Sequence, residues 1–436
     1  MKSDRPELLL LQPAQDKDRL GKHRRRKSSI PKLNLPILAA HADRDFDVRI
    51  IDEAVDDIDF SCRPDLVGIS VITQTALRAY EIADTYREMN VPVVMGGFHV
   101  SFFPEEAHEH ADALVLGEGE GAWNELLADF LAGRMKRQYR TDRPHNLEGL
   151  PAPRLDLMRR DAYGLPNVLE TARGCPHACS YCAVSLFWGR KFRFRPIEEV
   201  TEEIKALPQG ELVFVDDNIA GSHNRAKKLF KAMMPLKRRW SGQSDIRIAD
   251  DPELLDLAAK SGCKWLFIGI ESINPENLAK VGKSKVNVVE KYRESIAKIR
   301  KAGIKVFGSF ILGFDDDREG DFLEIVKFCI KNKLEAANFY IYTPLPFTKL
   351  FEDMEEENRI IHRDWSKYDC NHVVHKPGKM SPDELLEGYL KAYRKMYSLP
   401  SIFKRTTSLR TGLFEILAFN IARRINYRRF EEGCKI

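Results

Sequence analysis

The stretch RGCPHACSYCAVSLFWGRKFRFR, residues 173 to 195, decides how the rest of the chain is read. It holds three of the eight cysteines as Cys175-x3-Cys179-x2-Cys182, directly after an apolar run that reads as a strand. Three thiolates on one short loop can bind three irons of a [4Fe–4S] cluster and leave the fourth iron without a protein ligand. An open iron is a place for chemistry, whereas a site closed by four cysteines serves structure or electron transfer. A structural zinc site closes with four ligands, usually as two pairs. His177 is the nearby candidate for a fourth ligand, and it lies inside the loop where its reach is poor. The spacing therefore favours an iron–sulfur cluster over zinc.

Working outward, 436 residues suit two domains and an extension. An apolar share of 43% and a charged share of 31% are those of a soluble globular protein. The net charge of +4 gives no reason to expect a nucleic-acid partner. No apolar run is long enough to span a bilayer, and MKSDRPELLLLQP lacks the features of a signal peptide. Cys62, Cys263, Cys329, Cys370 and Cys434 are scattered and read as ordinary thiols. Three clustered cysteines in a long chain fit a reducing cytoplasm with a metal site, not a disulfide framework.

Ahead of the cysteines, Leu8–Leu11, Val48–Ile51, Leu66–Ser70, Val91–Met95 and Ala113–Leu116 read as strands. Helical segments at Leu35–Ala42, Ala76–Met89, Glu105–His110 and Gly121–Leu131 separate most of them. Apolar strands spaced by helices predict a doubly wound, Rossmann-like parallel sheet over residues 1–133. Ligands on such sheets bind at the carboxyl ends of strands. Those ends carry Gln12, Ser70, Gly96, Gly97 and Gly117. Residues 134–166, rich in Pro and Arg, read as a linker draped over the surface. The basic run Lys22–Lys27 reads as a solvated loop.

From Asn167 to Thr348 six more strands are predicted, at Val168–Ala172, Leu212–Val215, Asp245–Ile248, Trp265–Ile270, Lys305–Ile311 and Ala337–Ile341. Intervening helices make this a partial (β/α)6 barrel, whose function belongs at the strands' carboxyl ends. The cysteine loop leaves the first strand at such an end. Glu271 and Ser272 end the fourth. Asp216, Asp217 and Asn218 end the second, and Arg247 and Asp250 lie at the third; these groups either hold a ligand or pair with one another.

The cysteine spacing resembles the signature of radical S-adenosylmethionine (SAM) enzymes, in which the open iron chelates the methionine moiety. PDLVGIS, VPVVMGGFHVSFFPEEA and DALVLGEGE look like the cobalamin-binding domain that precedes many such cores. The resemblance implies cobalamin contacts at Ser70, Gly96, Gly97 and Gly117. An Asp-x-His-x-x-Gly motif would supply a lower cobalt ligand; here Asp16–Gly21 carries Asp18 in place of the histidine, so cobalt without a histidine ligand is expected. By the family's patterns Tyr181, Glu271, Ser272 and Ser309 bind SAM. Tyr342–Thr348 resembles a Pro-x-Pro-Gly-Thr segment with Phe347 in the glycine's place, which predicts a different local turn. Residues 349–436 resemble the helical extension of hopanoid-methylase-like members.

What the resemblance implies is a reduced cluster that cleaves SAM to a 5′-deoxyadenosyl radical, and methylcobalamin that methylates an unactivated carbon of a hydrophobic or lipid-like substrate. No side chain beyond the ligands is expected to be catalytic, and the electron donor would be a flavodoxin or ferredoxin. The alternatives are cyclisation, oxidation or carbon–carbon coupling with the same apparatus, and a non-enzymatic cobalamin or redox sensor. Residues 391–436 carry 11 Lys and Arg against 3 Glu, and Leu413, Ile416, Leu417, Ile421 and Ile425 recur at helical spacing. That helix either packs on the barrel or lies peripherally on a membrane.

Overall fold

A computed structural model describes residues 5–15, 30–141, 144–406 and 412–434, with the side chains of 429 and 432–434 outside the description. The basic run 22–27, the segment 16–21 and the Cys434 side chain lie outside the described residues. Contacts divide the chain into two compact units: Met1–Pro176 with Ala183–Val213 and Asp364–Ser366, and His177–Cys182 with Phe214–Arg363 and Lys367–Ile436.

In the first unit, β1 (Glu7–Gln12), α1 (Asn34–Ala42), β2 (Asp47–Asp52), β3 (Leu66–Ser70), α2 (Ala76–Glu88) and β4 (Val93–Gly96) come first. They are followed by α3 (Phe98–Phe102), α4 (Pro104–His108), β5 (Ala113–Leu116), α5 (Gly119–Leu131) and β6 (Gln138–Arg140). The sheet order is β2-β1-β3-β4-β5-β6, and every pairing is parallel. Leu8–Leu11 are at most 1% exposed, as a strand covered on both faces requires. The order reverses between β1 and β3, and there Gln12 and Ser70 end adjacent strands, the place where doubly wound sheets bind ligands.

The expected linker does more than drape. Its residues 138–140 form β6 against β5, and Tyr139, Leu147, Leu155 and Tyr163 are buried. Tyr163 donates to Asp52 Oδ2 at 2.9 Å. Proline and arginine masked these anchors, which are single apolar residues without a period.

β7 (Asn167–Leu169), β8 (Ala172–Arg173), α6 (Val184–Phe187), β9 (Arg193–Phe194), α7 (Ile197–Ala206) and β10 (Leu212–Phe214) continue the chain. In the second unit follow α8 (His223–Met233), β11 (Trp240–Ser244), α9 (Pro252–Lys260), β12 (Cys263–Glu271) and α10 (Pro275–Lys280). Then come α11 (Tyr292–Lys301), β13 (Lys305–Leu312), α12 (Glu319–Lys331), β14 (Ala336–Ile341) and α13 (Lys349–Glu356). The last three helices are α14 (Pro382–Met396), α15 (Leu399–Thr406) and α16 (Leu413–Cys434). The strands take the order β7-β10-β11-β12-β13-β14, which is the partial (β/α)6 barrel, and β11 to β14 pair in parallel. The C-terminal extension is helical.

The third barrel strand is displaced from its expected place. It runs Trp240–Ser244, and residues 246–250 form a 3-10 turn. Asp245 stops the strand by accepting the Arg247 amide at 2.9 Å, a capping role short acidic side chains favour. Trp-Ser-Gly-Gln-Ser has too little apolar character to announce a strand, yet its alternate residues are buried.

Two faces of β12 and β13 sort the remaining elements. Phe310 packs on Phe328 of α12, so residues of its parity meet the outer helices. Trp265 and Phe307, of the opposite parity, meet Phe419 of α16 on the inner face.

Candidate radical and corrinoid sites

The cysteine loop is fixed at both ends by local chemistry. On the side of the first unit, Arg173 is buried among carboxylates, at 3.2 Å from Glu118, 2.6 Å from Glu120 and 2.8 Å from Glu170. Its guanidinium also lies 4.7 Å from the Trp188 ring. Gly174 adopts φ 90°, and a Cβ there would collide with the Lys191 carbonyl, so only glycine fits. The Cys175 amide donates to Gly189 O at 3.2 Å. Glu118 also holds Arg193 at 2.5 Å. Glu118 stands at a strand end in the sequence, but its ion-pair role has no local signal, because its partners are 55 and 75 residues away.

In the second unit the Ser180 amide donates to Val281 O at 3.3 Å, and Ser180 O accepts the Leu350 amide at 2.9 Å. Cys179 is buried, Cys182 is half-buried, and neither forms a disulfide among the described residues. His177 is already engaged: its Nε2 accepts from Arg247 at 3.2 Å. Arg247 in turn pairs with Asp245 at 2.6 Å, and Asn218 donates to Asp245 at 2.8 Å. Of the groups at the second and third strand ends, Asn218 and Arg247 thus pair through Asp245.

Glu271 ends β12 in the left-handed region, at φ 63°, beside a register shift between Gly269 and Glu271. A non-glycine residue held there stores strain, which is common where a side chain is aimed for function. Gly269 makes room for it, because a Cβ at 269 would lie 2.5 Å from Glu271 Oε1. Burial pushes the Glu271 carboxyl above its ordinary range, opposed by Lys283 and by a hydrogen bond from Tyr181. Lys283 Nζ lies 3.6 Å from Glu271 Oε1. Burial pulls the Lys283 ammonium down, but Glu271, Cys179 and Cys182 more than reverse this. The Cys179 thiol is raised by burial and lowered by Lys283. Lys283 was not singled out in the sequence; a lone lysine in Gly-Lys-Ser-Lys has no local signal.

Tyr181 thus touches Glu271, and its ring lies 6.5 Å from that of Tyr342. The Ser272 hydroxyl accepts the Asn274 amide at 3.1 Å and Asn277 Nδ2 at 3.4 Å. Ser309 is buried and level with Gly269 in the ladder. Phe347 takes φ 60°, the conformation a glycine would favour, so the turn keeps a glycine-like backbone with an aromatic side chain 46% exposed. Thr348 then caps α13 by accepting the Phe351 amide at 3.2 Å.

At the corrinoid strand ends, Asn34 bridges Gln12 Oε1 at 3.1 Å and the Ser70 hydroxyl. Gly97, at φ 111°, lies so close to Val71 that a Cβ would come within 2.6 Å of its carbonyl oxygen. Gly96 is similarly close to Val115. Both positions thus bring the backbone close to the neighbouring segment at the strand ends. Gly117, at φ 79°, is different: a Cβ would meet no atom within 4 Å, which leaves open space beside the backbone.

Among the described residues no three His, Cys, Asp or Glu side chains are gathered into a preformed ion site. What fits a [4Fe–4S] cluster is the donor chemistry: three cysteines in no disulfide on one loop, with the partly buried Lys283 ammonium favoured by the charge of Cys179 and Cys182. The open space beside Gly117, at a strand end of the first sheet, leaves room for a ligand to approach the backbone.

A doubly wound sheet followed by a partial barrel with an open cysteine triad defines a two-domain radical enzyme. The radical SAM superfamily matches residues 169–329, the B12 binding domain matches 24–127, and a domain of unknown function (DUF4070) matches 348–415. The chain is 33% identical over 387 residues to the bacteriochlorophyllide d C-12(1)-methyltransferase of Chlorobaculum tepidum, covering 86% of this chain and 84% of that protein. It is 27% identical to the hopanoid C-2 methylase of Rhodopseudomonas palustris, over 77% of this chain and 66% of that one. It is also 27% identical to the anaerobic magnesium-protoporphyrin IX monomethyl ester cyclase of Cereibacter sphaeroides, over 78% and 61%. The fold is similar to that of the radical SAM methyltransferase TsrM from Kitasatospora setae, with TM-score 0.67 at 19% identity over 90% of this chain and 85% of that one. The chain belongs to the B12-binding-domain radical SAM family. It is an enzyme, and its cofactors are a [4Fe–4S] cluster, SAM and cobalamin.

Proposed function

We propose that this enzyme is a cobalamin-dependent C-methyltransferase acting on an unactivated carbon of a hydrophobic or lipid-like small molecule. When bound, its cofactors supply one-electron cleavage of SAM and a transferable methyl group. Cys175, Cys179 and Cys182 hold the cluster. Glu271, aimed by its left-handed backbone and flanked by Lys283 and Tyr181, receives the methionine end of SAM; this arrangement carries the reading. Ser309 faces the same ligand, Ser272 steadies the turn, and Ser70, Gly96, Gly97 and Gly117 form the corrinoid edge. Functionally the chain divides into 1–133, a linker at 134–166, the radical core at 167–348 and the extension at 349–436. Names among the relatives favour a hydrophobic substrate, since bacteriochlorophyllide and hopanoid methylases are both similar. A flavodoxin or ferredoxin reduces the cluster, and the C-terminal helices touch a membrane peripherally.

The second reading, ring formation, oxidation or carbon–carbon coupling, is favoured by the similar cyclase. Anaerobic reconstitution followed by a SAM-cleavage assay and transfer from methyl-labelled SAM separates the two. Label in the product is expected; product without label means cyclase-type chemistry. Cys179→Ala should abolish release of 5′-deoxyadenosine, and release that persists would remove Cys179 from the ligand set.

A further inference from the structure

Helix α16 is apolar on two sides. One side is spent within the second unit. Phe419 packs on Trp265 and Phe307, Arg423 bonds Asn338, Ile416 and Asn420 are fully buried, and Trp265 donates to Glu415 at 3.1 Å. The other side carries Phe414, Ala418, Ile421, Ala422 and Ile425, all exposed. Their offsets of 4, 7, 8 and 11 residues place them on one stripe of a helix. Phe414 is 86% exposed. Arg428, also exposed, lies at the end of this stripe, and Arg424 flanks it. Helix α15, which packs alongside, leaves Leu399 57% and Phe403 69% exposed, with Lys395 and Lys404 beside them at the surface.

Large apolar side chains in one exposed row are unusual on a protein that keeps them to itself. Lys395, Lys404 and Arg428 put exposed positive charge around this face, whereas Arg405 is interior and Arg423 is turned to Asn338. A second copy of this face would bring like charge against like, which opposes self-association. An anionic lipid surface satisfies both features, since it takes the apolar row into its interface and the basic residues against its headgroups.

We propose that the α15–α16 face is an interfacial docking surface for an anionic bilayer, with α16 lying in the membrane plane. This rests on the peripheral contact proposed above and names its residues and lipid charge. It needs no turnover, so its failure leaves the methyl-transfer reading untouched. The test is co-sedimentation of the full-length protein with vesicles of phosphatidylcholine alone, or with one-third phosphatidylglycerol. Binding to the anionic vesicles alone is expected, weakened by salt. The double variant F414S/I421S should lose about tenfold or more in partitioning, and R428E a smaller share, both with unchanged Tm and SAM cleavage. Failure to bind anionic vesicles, or equal binding of F414S/I421S, would overturn the proposal. So would a wild-type dimer that F414S/I421S makes monomeric, because the stripe would then be covered by a second copy.

Discussion

Gly269 and Glu271 act as one device, because the carboxylate occupies the space a side chain at 269 would need. Gly269→Ala should therefore displace the Glu271 carboxylate while leaving the strand paired. The expected result is SAM binding weakened by about tenfold, a loss of ~1.4 kcal/mol, with little change in Tm, read by calorimetric titration. Lys283 is the other residue whose placement sets the site. Its ammonium sits with Glu271, Cys179 and Cys182, so removing it removes the nearest positive charge. Cluster potentials depend on local net charge. Lys283→Met should shift the cluster midpoint to more negative values in an EPR-monitored redox titration, whereas a purely structural lysine would leave the midpoint in place.

Single elements owe their positions to a few buried polar groups. Arg405 of α15 is completely buried and donates to the carbonyls of Leu334, Glu335 and Met396 and to Asn420 Oδ1. It ties the β14 entry, the end of α14 and α16 together. Its charge was counted with a basic surface in the sequence, yet it is interior. Arg405→Ala leaves several carbonyl groups unsatisfied, each costing ~1–3 kcal/mol. A loss of about 3 kcal/mol or more in urea unfolding is expected, and a loss below about 1 kcal/mol would deny it this role. Caps set the ends of other elements. Ser381 and Glu384 form a reciprocal capping box at α14, and Asp251 caps α9 by accepting the Leu254 amide. Both are local patterns. The third barrel strand leaves no such pattern, because Trp240–Ser244 is stabilised by its neighbours and not by its own apolar content.

For the molecule as a whole, acid sensitivity follows from His375. It is fully buried, neither ring nitrogen has a hydrogen-bond partner among the described residues, and it lies near Arg359, Asp315 and Tyr342. Burial, reinforced by Arg359, lowers its pKa from 6.5 to about 4. The unfolded chain therefore binds the proton more readily. The stability from a neutral His375 is present above about pH 6.5 and is lost as pH falls towards 4. Between about pH 7.5 and 4.5 this amounts to ~2 kcal/mol. His375→Leu should flatten that part of the pH–stability curve, and an unchanged slope would assign the loss elsewhere. The sequence by itself determined the two α/β domains, the cysteine triad and Glu271 at a strand end. Those features reside in hydrophobic period and short spacing, which the covalent chain enforces locally. Only the tertiary structure decided that Lys283 faces the thiols, that Arg405 is interior, that Asp245 joins Asn218 to Arg247 and that α16 bares a second apolar side. Each of those depends on partners dozens of residues away, where packing and burial set the energy and no local pattern records it.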